Sequence, residues 1–188
     1  MGMAFNLYLC NKNQFEEIKL KTLNNETIEI IEYSIKSYNC EKLYIGLEYL
    51  FSKIFPENIV KIIFNGSDII SRIDFKSDNF KKLLKEEQIN LYINTIQTAF
   101  IDHNYIYEIN DIFIGENGDK IFDSFNENEL NSKKIYPENW KKNYTLWNNI
   151  NNQEEYSYKE YFKNEYLKIK SLFYEAVKNN NLIITEIK

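Results

Sequence analysis

The feature that most constrains this chain is its end. Tyr161, Phe162, Leu167, Ile169, Leu172, Phe173, Ala176 and Val177 recur at helical spacing, and Asn179-Asn180-Asn181 then leads directly into the apolar run Leu182–Ile187. The first block reads as a long amphipathic helix with a capping box at Ser157 and Glu160. The Asn run reads as its stop, because Asn tolerates the left-handed conformation that closes many helices. The last block reads as a strand. A long one-sided helix followed at once by an apolar strand calls for helix packed on sheet.

Earlier segments give the same class. Ala4–Leu9 reads as a first strand, and Asn13 with Glu16 as a capping box opening a helix to about Leu20. Ile28, Ile31, Ile35 and Tyr38 have helical spacing after Asn25, although TIEIIEY also fits a strand. Glu41–Ile54 reads as a helix with Leu43, Leu47, Leu50, Phe51 and Ile54 on one face, stopped by Pro56. Val60–Phe64 reads as a strand before an Asn65-Gly66 turn, and Glu86–Ile101 as a helix striped by Ile89, Ile93, Ile96 and Phe100. Ile106–Phe122 reads as a hairpin turning at Glu116-Asn117-Gly118-Asp119, and Tyr136-Pro137 as a break. With no repeat and no Pro/Gly/Ser-rich linker, the 188 residues are expected to form one α+β domain, a mainly antiparallel sheet packed with amphipathic helices.

Composition narrows the function classes. The net charge of −5 argues against a general nucleic-acid binder, which needs a basic footprint, and against docking on anionic lipid. Cys10 and Cys40 form no disulfide framework and no CxxC pair. The start, MGMAFNLYLCNKNQFEE, lacks a basic region and a long apolar core, and Asn6 stands where a myristoylation signal needs a hydroxyl. No apolar run reaches spanning length. The expectation is a cytoplasmic protein with reduced thiols, not attached to membranes.

Four stretches, in this order and spacing, resemble the YfbM-like family of bacterial proteins, a domain of unknown function. They are Met1-Gly2-Met3, the stretch Glu41–Phe51, Asn65-Gly66 after an apolar run, and Ile135-Tyr136-Pro137 with Trp140 ahead of the last helix and Ala176–Ile187. The resemblance covers most of the chain and implies an α+β fold, but no activity. Two departures stand out: the family's Trp and His on the second stretch are Tyr44 and Glu48 here, and its YGPAR segment is not recognisable.

Chemistry-bearing motifs are sparse. GxSxG, HExxH and Walker patterns are absent, Gly115–Lys120 has the wrong spacing and acidic flanks for a phosphate loop, and Asp111, Glu116, Asp119 and Asp123 miss the EF-hand spacing. His103, the sole histidine, follows Asp102 at a predicted helix end, where it would complement the dipole rather than catalyse. No catalytic residue, metal or cofactor is therefore expected.

Two surfaces remain. Between Ile101 and Leu130 eight acids face one base, Lys120, so this stretch carries seven net negatives, more than the whole chain. Asp111, Glu116, Asp119 and Asp123, interleaved with Tyr105 and Tyr107, suggest a face for a basic protein partner such as a toxin or nucleic-acid-acting enzyme. The expected role is a non-enzymatic binding module of the inhibitor or immunity type. The alternative is an enzyme or ligand-binding protein with a cleft at Tyr44, Glu48, Gly66, Tyr136 and Trp140, where Glu48 falls on the apolar side of its helix.

Overall fold

The architecture follows from a pair of strands taken from opposite ends of the chain. In the computed structural model, which describes residues 4–24, 29–41, 44–72, 97–123, 125–133 and 158–188, β1 (Phe5–Cys10) pairs antiparallel with β5 (Leu182–Ile187), Phe5 opposite Ile187 and Cys10 opposite Leu182. On the outer side of β1 lies β2 (Lys36–Glu41); beyond β5 lie β4 (Gln97–Ile101) and then β3 (Asp68–Arg72). The order is β2-β1-β5-β4-β3, and every pairing is antiparallel. The expected α+β class and antiparallel sheet are thus what the chain adopts.

Both faces of this sheet are covered, so β1 is buried at every residue and reads as continuously apolar rather than alternating. One face joins Leu7, Leu9, Tyr38 and Ile183 to helices α2 (Tyr44–Ser52), α3 (Glu57–Asn65), α4 (His103–Ile114) and α7 (Tyr158–Asn179). Phe113 sits at its centre, with ring centroids 5.8, 5.7, 5.6 and 5.4 Å from Phe51, Phe55, Tyr166 and Phe173. The other face carries α1 (Lys12–Leu23) and a 3₁₀ turn at Ile30–Tyr33, which lay Phe15, Ile18 and Ile30 over Tyr8, Cys10 and Ile184.

The C-terminal reading holds in detail. Helix α7 ends at Asn179, and Asn180 takes φ 53. Asn180 N–H donates to the Val177 carbonyl at 3.3 Å and Asn181 N–H to that of Ala176 at 2.9 Å, the two bonds of a Schellman stop. Residue 157 of the expected capping box lies outside the described residues.

Several expectations are corrected. Val60–Phe64 is not a strand but part of α3: Ile59, Val60, Ile63 and Phe64 bury one helical face, a pattern that five apolar residues in a row conceal. Pro56 serves as the N-cap position of α3, where its fixed φ is compatible with entry, rather than only as a stop. The expected helix to Ile101 is overturned at its end, since Gln97–Ile101 is a strand bonded on both sides; residues 86–96 lie outside the described ones. The acidic hairpin is two helices, α4 and then α5 (Glu116–Lys120), because Ile106, Ile109 and Phe113 bury with helical rather than two-residue period. His103 consequently opens a helix instead of closing one, and Asp102 caps it by accepting from Asn104 N–H at 2.9 Å. The first capping box is Asn11 with Gln14, two residues earlier than expected. The segment expected as helix before Tyr38 holds the 3₁₀ turn and β2, and β2 takes Glu41, so α2 is shorter than the expected helix at both ends.

Burial has a measurable consequence at high pH. It pushes the Cys10 thiol up to about 12, and holds the hydroxyls of Tyr8, Tyr38 and Tyr166 above the ordinary tyrosine range. A raised folded pKa adds stability that is complete below the unfolded value and disappears as pH climbs toward the folded one. The melting temperature should therefore hold to about pH 8.5, where an unfolded thiol starts to ionise, and fall steadily above it. Thermal scans between pH 8 and 11 check this, and a flat profile would count against it.

Candidate functional site

The acidic segment forms a concave surface at the α4–α5 junction. Helix α4 is placed by its apolar stripe, which leaves Tyr107 and Ile114 exposed on the opposite side. Gly115 ends α4, and α5 begins one residue later. The close fold-back needs a second glycine: a Cβ on Gly118 would stand 2.1 Å from the Phe113 carbonyl oxygen. Tyr166 of α7 fastens the junction by donating its hydroxyl to the Gly118 carbonyl at 3.0 Å. The result is a groove of 510 Å³ with Glu108, Asp111 and Glu116 around Ile112, Gly115 and Asn117.

The structure sorts the expected partner-binding residues. Asp111 and Glu116 line the groove, joined by Glu108, which the sequence reading did not single out. Glu116 is also 3.1 Å from Lys120 on its own helix, and Asp119 is 3.5 Å from Lys170 of α7. Asp123 is exposed but beyond the groove lining. Tyr107 is exposed, whereas Tyr105 is half-buried and packs on the main core. Asp102 is committed to capping.

The other expected cleft is assembled in part. Tyr44 stacks on Phe5 and Phe64 at 5.9 and 6.5 Å, and Gly66 closes the same helix as Phe64. Gly66 has φ 77, and a Cβ there would lie 2.6 Å from that of Ala99 and 3.2 Å from Thr185 Oγ1, so the position admits only glycine without strain. Thr185 Oγ1 is itself buried with no hydrogen-bond partner. Tyr136 and Trp140 lie outside the described residues.

Half-burial holds the Glu48 carboxyl above the usual carboxylate range. A raised carboxyl pKa means that the charged form is disfavoured in the fold, so its ionisation lowers stability as pH rises. Glu48→Gln should therefore melt at or above the wild-type temperature at pH 7, with the gain gone at pH 3.5; a clear drop at pH 7 would show that the ionised carboxylate is instead held by favourable contacts.

Two buried carboxylates escaped the sequence reading. Glu186 of β5 is 1% exposed and accepts from Tyr8 OH at 2.6 Å and Asn6 Nδ2 at 3.1 Å, with Lys188 Nζ 3.3 Å away. Glu165 of α7 is 5% exposed, accepts from the Tyr38 hydroxyl, and is 2.7 Å from Lys168 Nζ. Glu165 falls between Phe162 and Ile169 on the apolar stripe of α7, and that placement was the available signal. Among the described residues, no group of three or more His, Cys, Asp or Glu could hold a metal ion, and no helix is long and apolar enough to cross a membrane.

No family profile and no curated protein sequence matches the chain. A solved structure does: a protein of unknown function, YfbM from Escherichia coli, with TM-score 0.54 at 11% identity, over 98% of this chain and 99% of that one. The chain therefore has the YfbM fold along nearly its whole length, the fold that the resemblance in its sequence implies.

Proposed function

We propose that the protein is a non-enzymatic binding module that offers the α4–α5 groove to a basic protein, acting as an inhibitor or immunity-type antagonist of a nucleic-acid-acting enzyme. The observation that carries this reading is the groove itself: three carboxylates, Glu108, Asp111 and Glu116, surround the half-buried Ile112, with Tyr107 exposed nearby. An apolar floor inside a charged rim is the usual anatomy of a protein interface. Enzymes that act on nucleic acid carry basic grooves, and an acidic rim would steer such a groove into contact. A small-ligand cleft at Tyr44 and Glu48 is the second reading, and rests on the desolvated Glu48 carboxyl.

The test is a parallel capture with the wild-type chain and the Glu108→Gln/Asp111→Asn/Glu116→Gln variant. The reading expects a basic protein that is retained by the wild type, lost with the variant, and bound again when purified. Equal retention by both chains, or a captured protein that is not basic, would overturn it. Loss of the same partner on Glu48→Gln would favour the second reading.

A further inference from the structure

A second groove, of 320 Å³, runs between edge strand β2 and helix α7. Its walls are Lys36, Ser37 and Tyr38 on the strand and Leu167, Lys168, Ser171 and Leu172 on the helix. The surface between is apolar: Leu172 is buried, and Leu167 is 46% exposed with its side chain on the groove. Lys36 stands 2.5 Å from Glu175, and Lys168 2.7 Å from Glu165. Along α7, Lys168 and Glu175 are two turns apart, roughly 10 Å.

The two ion pairs are not symmetrical. Lys168 is 58% exposed over a Glu165 side chain at 7%, and Lys36 is 47% exposed against 33% for Glu175. Glu165 is further occupied by the Tyr38 hydroxyl, and Glu175 by Ser171 Oγ at 3.2 Å. In each pair the cation is the member that meets solvent, so this groove presents positive charge in a chain whose net charge is −5. An ammonium has three donors, and one bond to its carboxylate leaves two for a ligand.

We propose that this groove binds a small organic acid, whose carboxylate bonds the Lys36 and Lys168 ammonium groups while a short apolar body lies on Leu167 and Leu172. Apolar walls with a few convergent polar groups are the common form of small-molecule sites. The carboxylate gains charge-assisted hydrogen bonds without breaking either ion pair. The site shares no lining residue with the acidic groove and does not depend on the function assigned there.

Titrating the isotope-labelled full chain with hexanoate, and separately with hexylammonium, tests the assignment by NMR. Hexanoate should produce saturable shifts at the amides of Ser37, Leu167 and Ser171, and hexylammonium should not. Lys36→Met, which leaves buried Glu165 and its partners intact, should weaken hexanoate about tenfold, the scale of one charged hydrogen bond. Leu167→Asp places a carboxylate in the exposed groove and should remove saturable binding while the remaining amide signals keep their dispersion. No saturable shift at these amides, an equal response to hexylammonium, or unchanged affinity in Lys36→Met would overturn the proposal; should Leu167→Asp lose its dispersion, Lys36→Met alone decides.

Discussion

Replacing Phe113 by alanine should cost about 3–5 kcal/mol, the range for deleting a fully buried aromatic ring. The expectation rests on position as well as size. Phe113 is 0% exposed and its ring meets partners from α2, the loop after it, and two points on α7, so no single neighbour can move in to fill the void. At roughly 2–4 °C per kcal/mol for a chain of this length, the melting temperature should fall by about 10 °C or more. The same change at exposed Tyr107 should stay within about 0.5 kcal/mol. A small loss at Phe113 would mean that the junction of α2, α4 and α7 is not the packed centre described here.

Glu186→Ala should be of similar size, about 3–5 kcal/mol, for a different reason. The carboxylate is the common acceptor for Tyr8 and Asn6 and lies beside Lys188, all on strands β1 and β5 or their ends. Alanine leaves a buried phenol and a buried amide without that acceptor, and such groups are costly when unpaired. Glu186→Gln keeps an acceptor for Tyr8 and should lose less than half as much. Chemical unfolding of the two variants side by side makes the comparison, and equal losses would mean that volume rather than hydrogen bonding sets the cost.

These two positions also mark the limit of what the sequence could disclose. The α7–β5 unit was legible because its stripe runs for many residues and its stop, Asn180, has a local backbone reason. Glu186 was not, because an acid in a strand ordinarily marks the solvent face; only α1, packed across the back of the sheet, turns that face into interior. Short segments failed differently. Ile59–Phe64 fits a strand or a helix until its neighbours are known, and Asn117-Gly118 carries a hairpin signal that Phe113 and Tyr166 override by drawing Gly118 against the end of α4. The acidic character of the site was legible from composition alone, while its concavity, the inclusion of Glu108 and the diversion of Asp119 to Lys170 needed the helices in place.

The most direct measurement of the binding account is the association rate of the captured basic protein with the wild-type chain and with the Glu108→Gln/Asp111→Asn/Glu116→Gln variant, at low and high salt. Exposed acids contribute little to folding, so both chains should melt within a few degrees of each other. The account predicts association about tenfold slower for the variant at low salt, with the difference shrinking as salt rises, because rim charges act through screened long-range attraction. An unchanged association rate at low salt would contradict it and leave the groove a solvated surface.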